Sequence, residues 1–398
     1  MKGLYQFIPP PAADYTGVSS VLFDLDGMVV VHNPGGCAKT IADIDEPRWY
    51  RKRAALFSSA LRELDVVFGN DEDFIQKITD TFKYVKKKFI ALVGTPVPAI
   101  IGTDLKGIAG TIQKKVDVPV LAFNTRGFDP YAAGVSAAYL KLAEQFIEPP
   151  VSKIPGSVNI LGATPLDVGL ERHLDMLVSL IRRAGLKVIA CWTMKSSLED
   201  IGKSACAEMN IVISHTALPL AKYMKEMYDI PYVVAVPVGR KPACNFLSLI
   251  EKPLQCNLKA DYLNPNNVFS PVLPEGTRAL VIGEPVLGYG VGQCLADDFG
   301  ADEVIVASLF PLEDITRTGI GAGVIYLEKE EELASLINRG NFHLIVGDPC
   351  YRDLIDKHKR VIFVPLPHIA LSGGDYCHMD YAYIGEEGYR YFCKSIFV

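Results

Sequence analysis

The segment His32-Asn33-Pro34-Gly35-Gly36-Cys37 follows an apolar run and puts a thiol at a strand end, beside the backbone N–H groups of a tight turn. Such a setting lowers a cysteine pKa and suits the thiolate to iron. The plainer alternative is a turn with a buried cysteine. With Ala38-Lys39-Thr40 the segment imitates the phosphate loop GxxxxGK[ST], but Asn33 and Ala38 stand where the anchoring glycines belong, which argues against an ATP site. Gly283, Gly288, Gly290 and Gly292 follow another apolar run and suggest a dinucleotide turn. Their spacing is not GxGxxG, and the next run, Val304–Ala307, ends without an acidic residue for a ribose. Close packing of a helix on a sheet explains these glycines equally well. Arg126 orients an anionic group or makes a surface ion pair, and Asp348 and Cys350 follow a strand without a partner signal. Cys377 and His378 are neighbours, so an extended backbone turns them to opposite faces.

The elements that must hold these residues repeat one pattern: a short β-branched run, a Gly/Pro/Ser turn, then an amphipathic helix. That pattern predicts parallel sheets with crossover helices, whose ligands bind beyond the carboxyl ends of the strands. Strands are expected at Met28–Val31, Val66–Phe68, Ile90–Val93 and Val120–Phe123. A second series is expected at Val158–Leu161, Val188–Cys191, Ile211–Ile213 and Tyr232–Val236, and a third at Ala279–Ile282, Val304–Val306, Val324–Leu327, Leu344–Val346 and Val361–Val364. Breaks at Pro149-Pro150 and in an Asn/Pro-rich loop over 252–275 divide the chain into three Rossmann-like α/β domains, 1–150, 151–275 and 276–398. In the second, Leu170, Leu174, Leu177, Val178 and Ile181 share one helix face ending at Gly185, and Ser196 with Glu199 reads as a capping box.

Composition bounds the partners. Forty basic against 46 acidic residues leave a net charge of −6, which disfavours nucleic acid. The run Lys86-Lys87-Lys88 reads as a helix C-terminus. No apolar stretch reaches membrane-spanning length, and the N-terminus lacks the pattern of a signal peptide, so a cytoplasmic protein is expected. There, most of the nine cysteines should be free and buried; none forms a CxxC pair.

Four segments in order carry a family resemblance. HNPGGC over 32–37 resembles the HGPxGC element of the nitrogenase component 1 superfamily. SALRELDVVFG over 59–69 resembles its SALxExDVVFGG, GTPVPAIIGTDL over 94–105 its STCxxxxIGDDI, and PVLAFNTRGF over 119–128 its PVIxVxTPGF. Further on, Tyr228-Asp229-Ile230-Pro231 is similar to YGIP. The resemblance implies three Rossmann-like domains and an iron–sulfur cluster shared across a subunit interface, with Cys37 as a ligand. It departs from the pattern at Pro96, which stands where a second ligating cysteine belongs, and near Asp14, where an upstream cysteine is missing and a carboxylate ligand is conceivable. One thiolate cannot hold a four-iron cluster, so a second copy or a related partner chain would have to complete it.

By the same resemblance, Ser214 or His215 stands in the region of the family's cofactor cysteine, and His368 in that of its cofactor histidine. The leading implication is a divergent subunit of a two-component iron–sulfur reductase, served by a nitrogenase-reductase-like ATPase and acting on a tetrapyrrole or other small reducible substrate. The alternative is a non-catalytic subunit of the same fold that binds or assembles a metallocofactor. A dinucleotide or nucleotide-sugar enzyme sharing only the βα architecture is the weakest reading.

Overall fold

The computed structural model describes residues 4–150, 152–258, 271–310, 320, 323–376 and 378–397. Three wholly parallel sheets follow one another along the chain. The first contains β1 (Gly27–Val31), β2 (Ala55–Ser58), β3 (Phe89–Val93) and β4 (Val120–Phe123), ordered β2-β1-β3-β4. The second contains β5 (Ser157–Ala163), β6 (Lys187–Thr193), β7 (Met209–Val212) and β8 (Tyr232–Val234), ordered β6-β5-β7-β8. The third contains β9 (Arg278–Ile282), β10 (Glu303–Ser308), β11 (Val324–Tyr326), β12 (Leu344–Gly347) and β13 (Ile362–Pro365), ordered β11-β10-β9-β12-β13. In each sheet the strand order reverses beside the first strand, which opens a crevice at the carboxyl edge. β1, β3 and β5 are buried along their whole length, as strands covered on both faces must be.

Three local expectations are corrected. Val66–Phe68 lies in a helix, Glu63–Phe68, not a strand. Asp65 accepts the Arg62 N–H at 2.9 Å, and this local cap outweighs the β-propensity of a three-residue run. The missed strand is β2, whose alternation is too short to read. The capping box is Ser197 with Asp200, one residue on from Ser196 and Glu199; the Ser196 hydroxyl instead accepts the Cys191 N–H at 2.8 Å. The expected loop from Lys252 begins inside a helix, Arg240–Leu254, and 259–270 lie outside the described residues.

Glycine lets the first helices cross closely. A Cβ on Gly134 of helix Tyr131–Phe146 would sit 1.8 Å from the Asp14 carbonyl oxygen, and one on Gly17 of helix Asp14–Leu22 would sit 2.2 Å from that of Tyr131. The arrays are also tied together. Glu330 accepts the N–H groups of Gln6, Phe7 and Ile8 at 3.1, 3.0 and 2.8 Å, which seats Ile8 in the core of the third array. The last helix, Gly385–Ile396, returns to the second array, where Glu386 meets the Arg240 guanidinium at 2.5 Å. Among the described residues no helix is long and apolar enough to cross a membrane.

Candidate functional site: a histidine chamber and a lone thiol

The loops past the carboxyl ends of the second and third sheets meet in one packed cluster of side chains, which Tyr131 of the first array joins from another side. Thr164 and Asp167 follow β5; Ser214, His215 and Thr216 follow β7; Glu284 follows β9; Phe310 follows β10; Asp348 follows β12; His368 follows β13. All are buried. The loops past parallel strands are therefore the scaffold, and hydroxyls and carboxylates within them fix the rings.

Asp167 is held on both oxygens. Tyr131 donates to Oδ1 at 2.6 Å and Thr216 to Oδ2 at 2.9 Å. Burial pushes the Asp167 carboxyl above its ordinary value and the Tyr131 phenol well above its own. Ser214 faces inward but serves as a cap: its Oγ accepts the Thr216 N–H at 3.1 Å. Glu284 is the anchor of His215. Its Oε1 accepts the His215 backbone N–H at 2.8 Å and lies 2.9 Å from Nδ1, while Oε2 accepts the Leu287 N–H at 2.7 Å. That contact makes Nδ1 the protonated nitrogen of a neutral ring, so Nε2 presents a lone pair. Burial opposes charge on His215, but the Glu284 hydrogen bond and charge outweigh it and raise the pKa.

His368 is pinned through its backbone. Asp348 Oδ2 accepts the His368 N–H at 2.8 Å and the Ser372 hydroxyl at 2.7 Å. The ring stacks on Phe310 at 4.9 Å and 29°; Phe310 in turn lies 5.9 Å from the His215 ring and meets Tyr131 edge-on at 5.7 Å. Neither ring nitrogen of His368 has a hydrogen-bond partner, nor does Nε2 of His215. Burial holds His368 below its ordinary pKa against the pull of Asp167, Asp348 and Glu284. A buried polar atom without a partner costs about 1–3 kcal/mol. Three such nitrogens lie on two rings that both pack on Phe310. Among the described residues no three His, Cys, Asp or Glu side chains stand close enough to hold a metal ion unaided.

Cys37 lies elsewhere, in the first turn of the short helix Gly36–Thr40. The buried Asn33 organises it. Oriented by its surroundings, the Asn33 amide carbonyl accepts the N–H groups of Gly35, Cys37 and Ala38 at 3.1, 3.1 and 3.0 Å, while its NH2 reaches the Ser58 hydroxyl at 2.8 Å. Asn33 thus supplies as a side chain the acceptor that a phosphate would be, and these N–H groups are not free for a thiolate. Tyr15 hydrogen-bonds Cys37, and burial followed by the Cys37 charge raises the phenol pKa. Pro96 opens the helix Pro96–Ile101 and lies against Gly127, whose added Cβ would be 2.6 Å from the Pro96 ring.

Asp14 accepts the Tyr15, Arg126 and Gly127 N–H groups at 2.7, 2.8 and 2.8 Å, so its oxygens are spent on the backbone. The Arg126 side chain turns to Asp129 at the surface, at 2.8 Å. The structure therefore gathers Ser214, His215 and His368 in the cluster and leaves Cys37, Asp14 and Arg126 in the first array. A groove of about 870 Å³ lined by Tyr15, Asp45, Cys350 and Ser372 runs between the two regions. Cys377 lies outside the described residues. Gly288 and Gly292 pack against the sheet, where an added Cβ would sit 3.0 and 3.2 Å from Val306, and Gly290 approaches the Val236 carbonyl oxygen after β8 at 2.6 Å; Gly283 has no such neighbour within 4 Å.

Tyr131, Asp167, Glu284 and Phe310 were not among the residues singled out by sequence. Three of them lie within a few residues of a strand's carboxyl end, the one signal that was available. Tyr131 had none. The donor set also decides which metal groups fit. Around Cys37 one thiol, a proline and a fully engaged aspartate do not fit a four-iron cluster within one chain. The cluster offers imidazole nitrogen and carboxylate oxygen; its neighbouring thiol, Cys350, is pushed up by burial and the Asp348 charge. That set fits a metal centre with imidazole ligands and does not fit thiolate ligation.

Comparison with known proteins agrees with this architecture. The chain is 26% identical over 273 residues, 65% of its length, to the nitrogenase iron-molybdenum cofactor biosynthesis protein NifE of Methanosarcina barkeri, covering 56% of that protein. It is 24% identical over 251 residues, 58% of its length and 50% of the relative's, to the nitrogenase molybdenum-iron protein alpha chain of Methanothermococcus thermolithotrophicus. The chain thus spans about half the length of these curated relatives. Two solved structures, titled nitrogenase Cp1 at pH 5 and at pH 6.5, superpose with TM-scores of 0.68 and 0.73 at 17% and 14% identity. They cover 99% and 100% of this chain, and 88% and 93% of theirs. The family model described as nitrogenase component 1 type oxidoreductase matches residues 14–385, and the chain belongs to that family.

Proposed function

We propose that this chain is a binding or assembly subunit of the component 1 type, which holds a metal-containing guest at the cluster between its sheets with His368 as the anchor. The observation that carries this reading is the buried His368 ring, with both nitrogens unpartnered. Its likeness to NifE, by name a cofactor biosynthesis protein, supports handling of a cofactor over turnover of a substrate. When bound, the guest would supply a metal atom for imidazole nitrogen. The residues of this chain do the rest: Glu284 and Asp348 orient the two histidines, Asp167 provides a buried carboxyl, and Phe310 and Tyr131 keep water out.

The second reading, a subunit of a two-component reductase acting on a tetrapyrrole or another small reducible substrate, is favoured by one observation. Cys37 retains the loop of a cluster ligand in the array that exposes Phe68 and Ile100, 81% and 74% accessible. A related subunit or a second copy docked on that face would complete a shared iron–sulfur cluster, and an ATP-driven iron–sulfur protein would deliver electrons. Both readings place the chain in the reducing cytosol.

Anaerobic purification after co-expression with the neighbouring genes, followed by metal, sulfide and paramagnetic resonance analysis, tests the proposal. A bound metal that is lost in His368→Ala and kept in Cys37→Ala is the expected result. A metal-free protein, or one whose iron depends on Cys37 alone, would remove the cluster from the account.

A further inference from the structure

The groove of about 870 Å³ runs past the loop that follows β13 without His368 among its lining residues, and its volume lies within the roughly 300–1,000 Å³ of small-molecule sites. We propose that this groove binds a small organic cation, an ammonium group on an apolar body, and that Asp45 receives the charge. The proposal does not depend on a metal-containing guest at His368.

The groove is formed before a guest arrives. One wall is the N-terminal strap, which is tied at both ends. Glu330 accepts the Gln6, Phe7 and Ile8 N–H groups at 3.1, 3.0 and 2.8 Å, and the Ala12 N–H donates to the Ala370 carbonyl at 2.7 Å. Between the ties, Pro9-Pro10-Pro11 line the groove with residues whose backbone φ is already fixed. A wall that needs no ordering loses little entropy on binding. Its apolar surface suits the body of a guest, so the charged groups decide which guest enters.

Among the described residues, the lining carries three carboxylates, Asp45, Asp353 and Asp375, against one guanidinium, Arg352. That guanidinium lies over the Phe363 ring at 5.0 Å. Asp45 is the group in need of a partner. It is 7% exposed, and the Thr16 hydroxyl, at 2.9 Å, is its one hydrogen-bond donor among the described residues. Burial and the Glu46 charge push its carboxyl up to about 6. Arg48 does not relieve it, being engaged by Glu46 and Asp24 at 2.6 and 3.0 Å. A buried carboxylate lacking a cation is costly, and an ammonium in the groove would offset that cost with a charge-assisted hydrogen bond. Tyr15 and Tyr376 add aromatic rings to the same lining, a further attraction for a cation. Burial and then the charges of Asp348, Asp375 and Asp353 raise the Tyr376 phenol, so the field at that wall is negative too. An anionic guest would be repelled.

Titration of the full-length protein with phenethylamine, followed by saturation-transfer NMR and calorimetry, tests this against a neutral and an anionic counterpart, phenethyl alcohol and hydrocinnamate. The amine should bind saturably at millimolar concentration or below, the alcohol more weakly and the carboxylate not at all. Asp45→Asn should lower the amine's affinity by at least about tenfold, the value of a charge-assisted hydrogen bond, and remove its advantage over the alcohol. Asp375→Asn, at an exposed position of the same lining, should lower it by up to about fivefold. Asp71→Asn, which changes an exposed acid of the first array outside this groove, should leave it unaltered, and so separates a site from general attraction to an acidic chain. Thermal unfolding of each variant checks the fold, and the preference for amine over carboxylate is read on the parent chain whatever the variants do.

No saturable amine binding, a carboxylate bound as well as the amine, or unchanged amine affinity in folded Asp45→Asn would overturn the proposal, as would an equal loss in Asp71→Asn. Metal content plays no part in these readings, so the function proposed for His368 stands or falls separately.

Discussion

Single residues decide whether a buried group stabilises the fold or serves a guest. Asp14 belongs to the first kind, since its oxygens take three backbone N–H groups at 2.7–2.8 Å. Asp14→Ala should cost at least ~2 kcal/mol in urea unfolding, the order expected when buried donors lose their acceptor. Loss of iron with unchanged stability would instead make Asp14 a ligand. Asp45 gives a pH signature. Burial lifts its carboxyl from 3.8 to about 6, with Thr16 donating to it at 2.9 Å. A carboxyl raised in the folded state favours folding while protonated. Its contribution is therefore full below about pH 4 and is lost as pH rises through about 6, amounting to ~3 kcal/mol at most. Asp45→Asn should remove that fall, so the stability of the variant relative to the parent should rise between about pH 4 and 6 in denaturant titrations. An unchanged difference across that window would show Asp45 to be solvated. Sequence pointed to His215 and His368 because they follow strands. It could not show that Glu284 and Asp348 hold them, since those contacts join residues 69 and 20 apart.

Secondary elements were legible where periodicity ran long and illegible where it was brief. β1, β3 and β4 read directly from their apolar runs, as did the helix Glu171–Arg183 with its single apolar face. Val66–Phe68 did not, because a three-residue apolar run suits strand and helix alike and Asp65 tips it toward the helix. The closest crossing of elements, between Asp14–Leu22 and Tyr131–Phe146, was invisible in sequence and depends on the absence of a methyl group. Gly134→Ala would press a Cβ to 1.8 Å from the Asp14 carbonyl oxygen, which forces the helices apart. A loss of about 1–3 kcal/mol or more is expected in thermal or denaturant unfolding, from overpacking. Since Tyr131 rides on the same helix and meets both Asp167 and Phe310, the same change should also loosen the packing around His368.

At the scale of the whole molecule, the second and third sheets turn their carboxyl edges toward one interior, and the first array leaves an apolar face around Phe68 exposed. If a related subunit or a second copy covers that face, Phe68→Asp should shift sedimentation velocity toward the monomer without altering stability. A monomeric parent chain would leave the face unexplained. The fold separates the Cys37 thiol of the first array from the two histidines of the interior. The most direct test of the interior is pulsed paramagnetic resonance on anaerobically isolated protein, comparing the parent chain with His368→Gln. The account predicts imidazole nitrogen coupled to the bound metal, with that coupling lost or halved in the variant. A metal signal without nitrogen coupling, or one indifferent to His368, would contradict it.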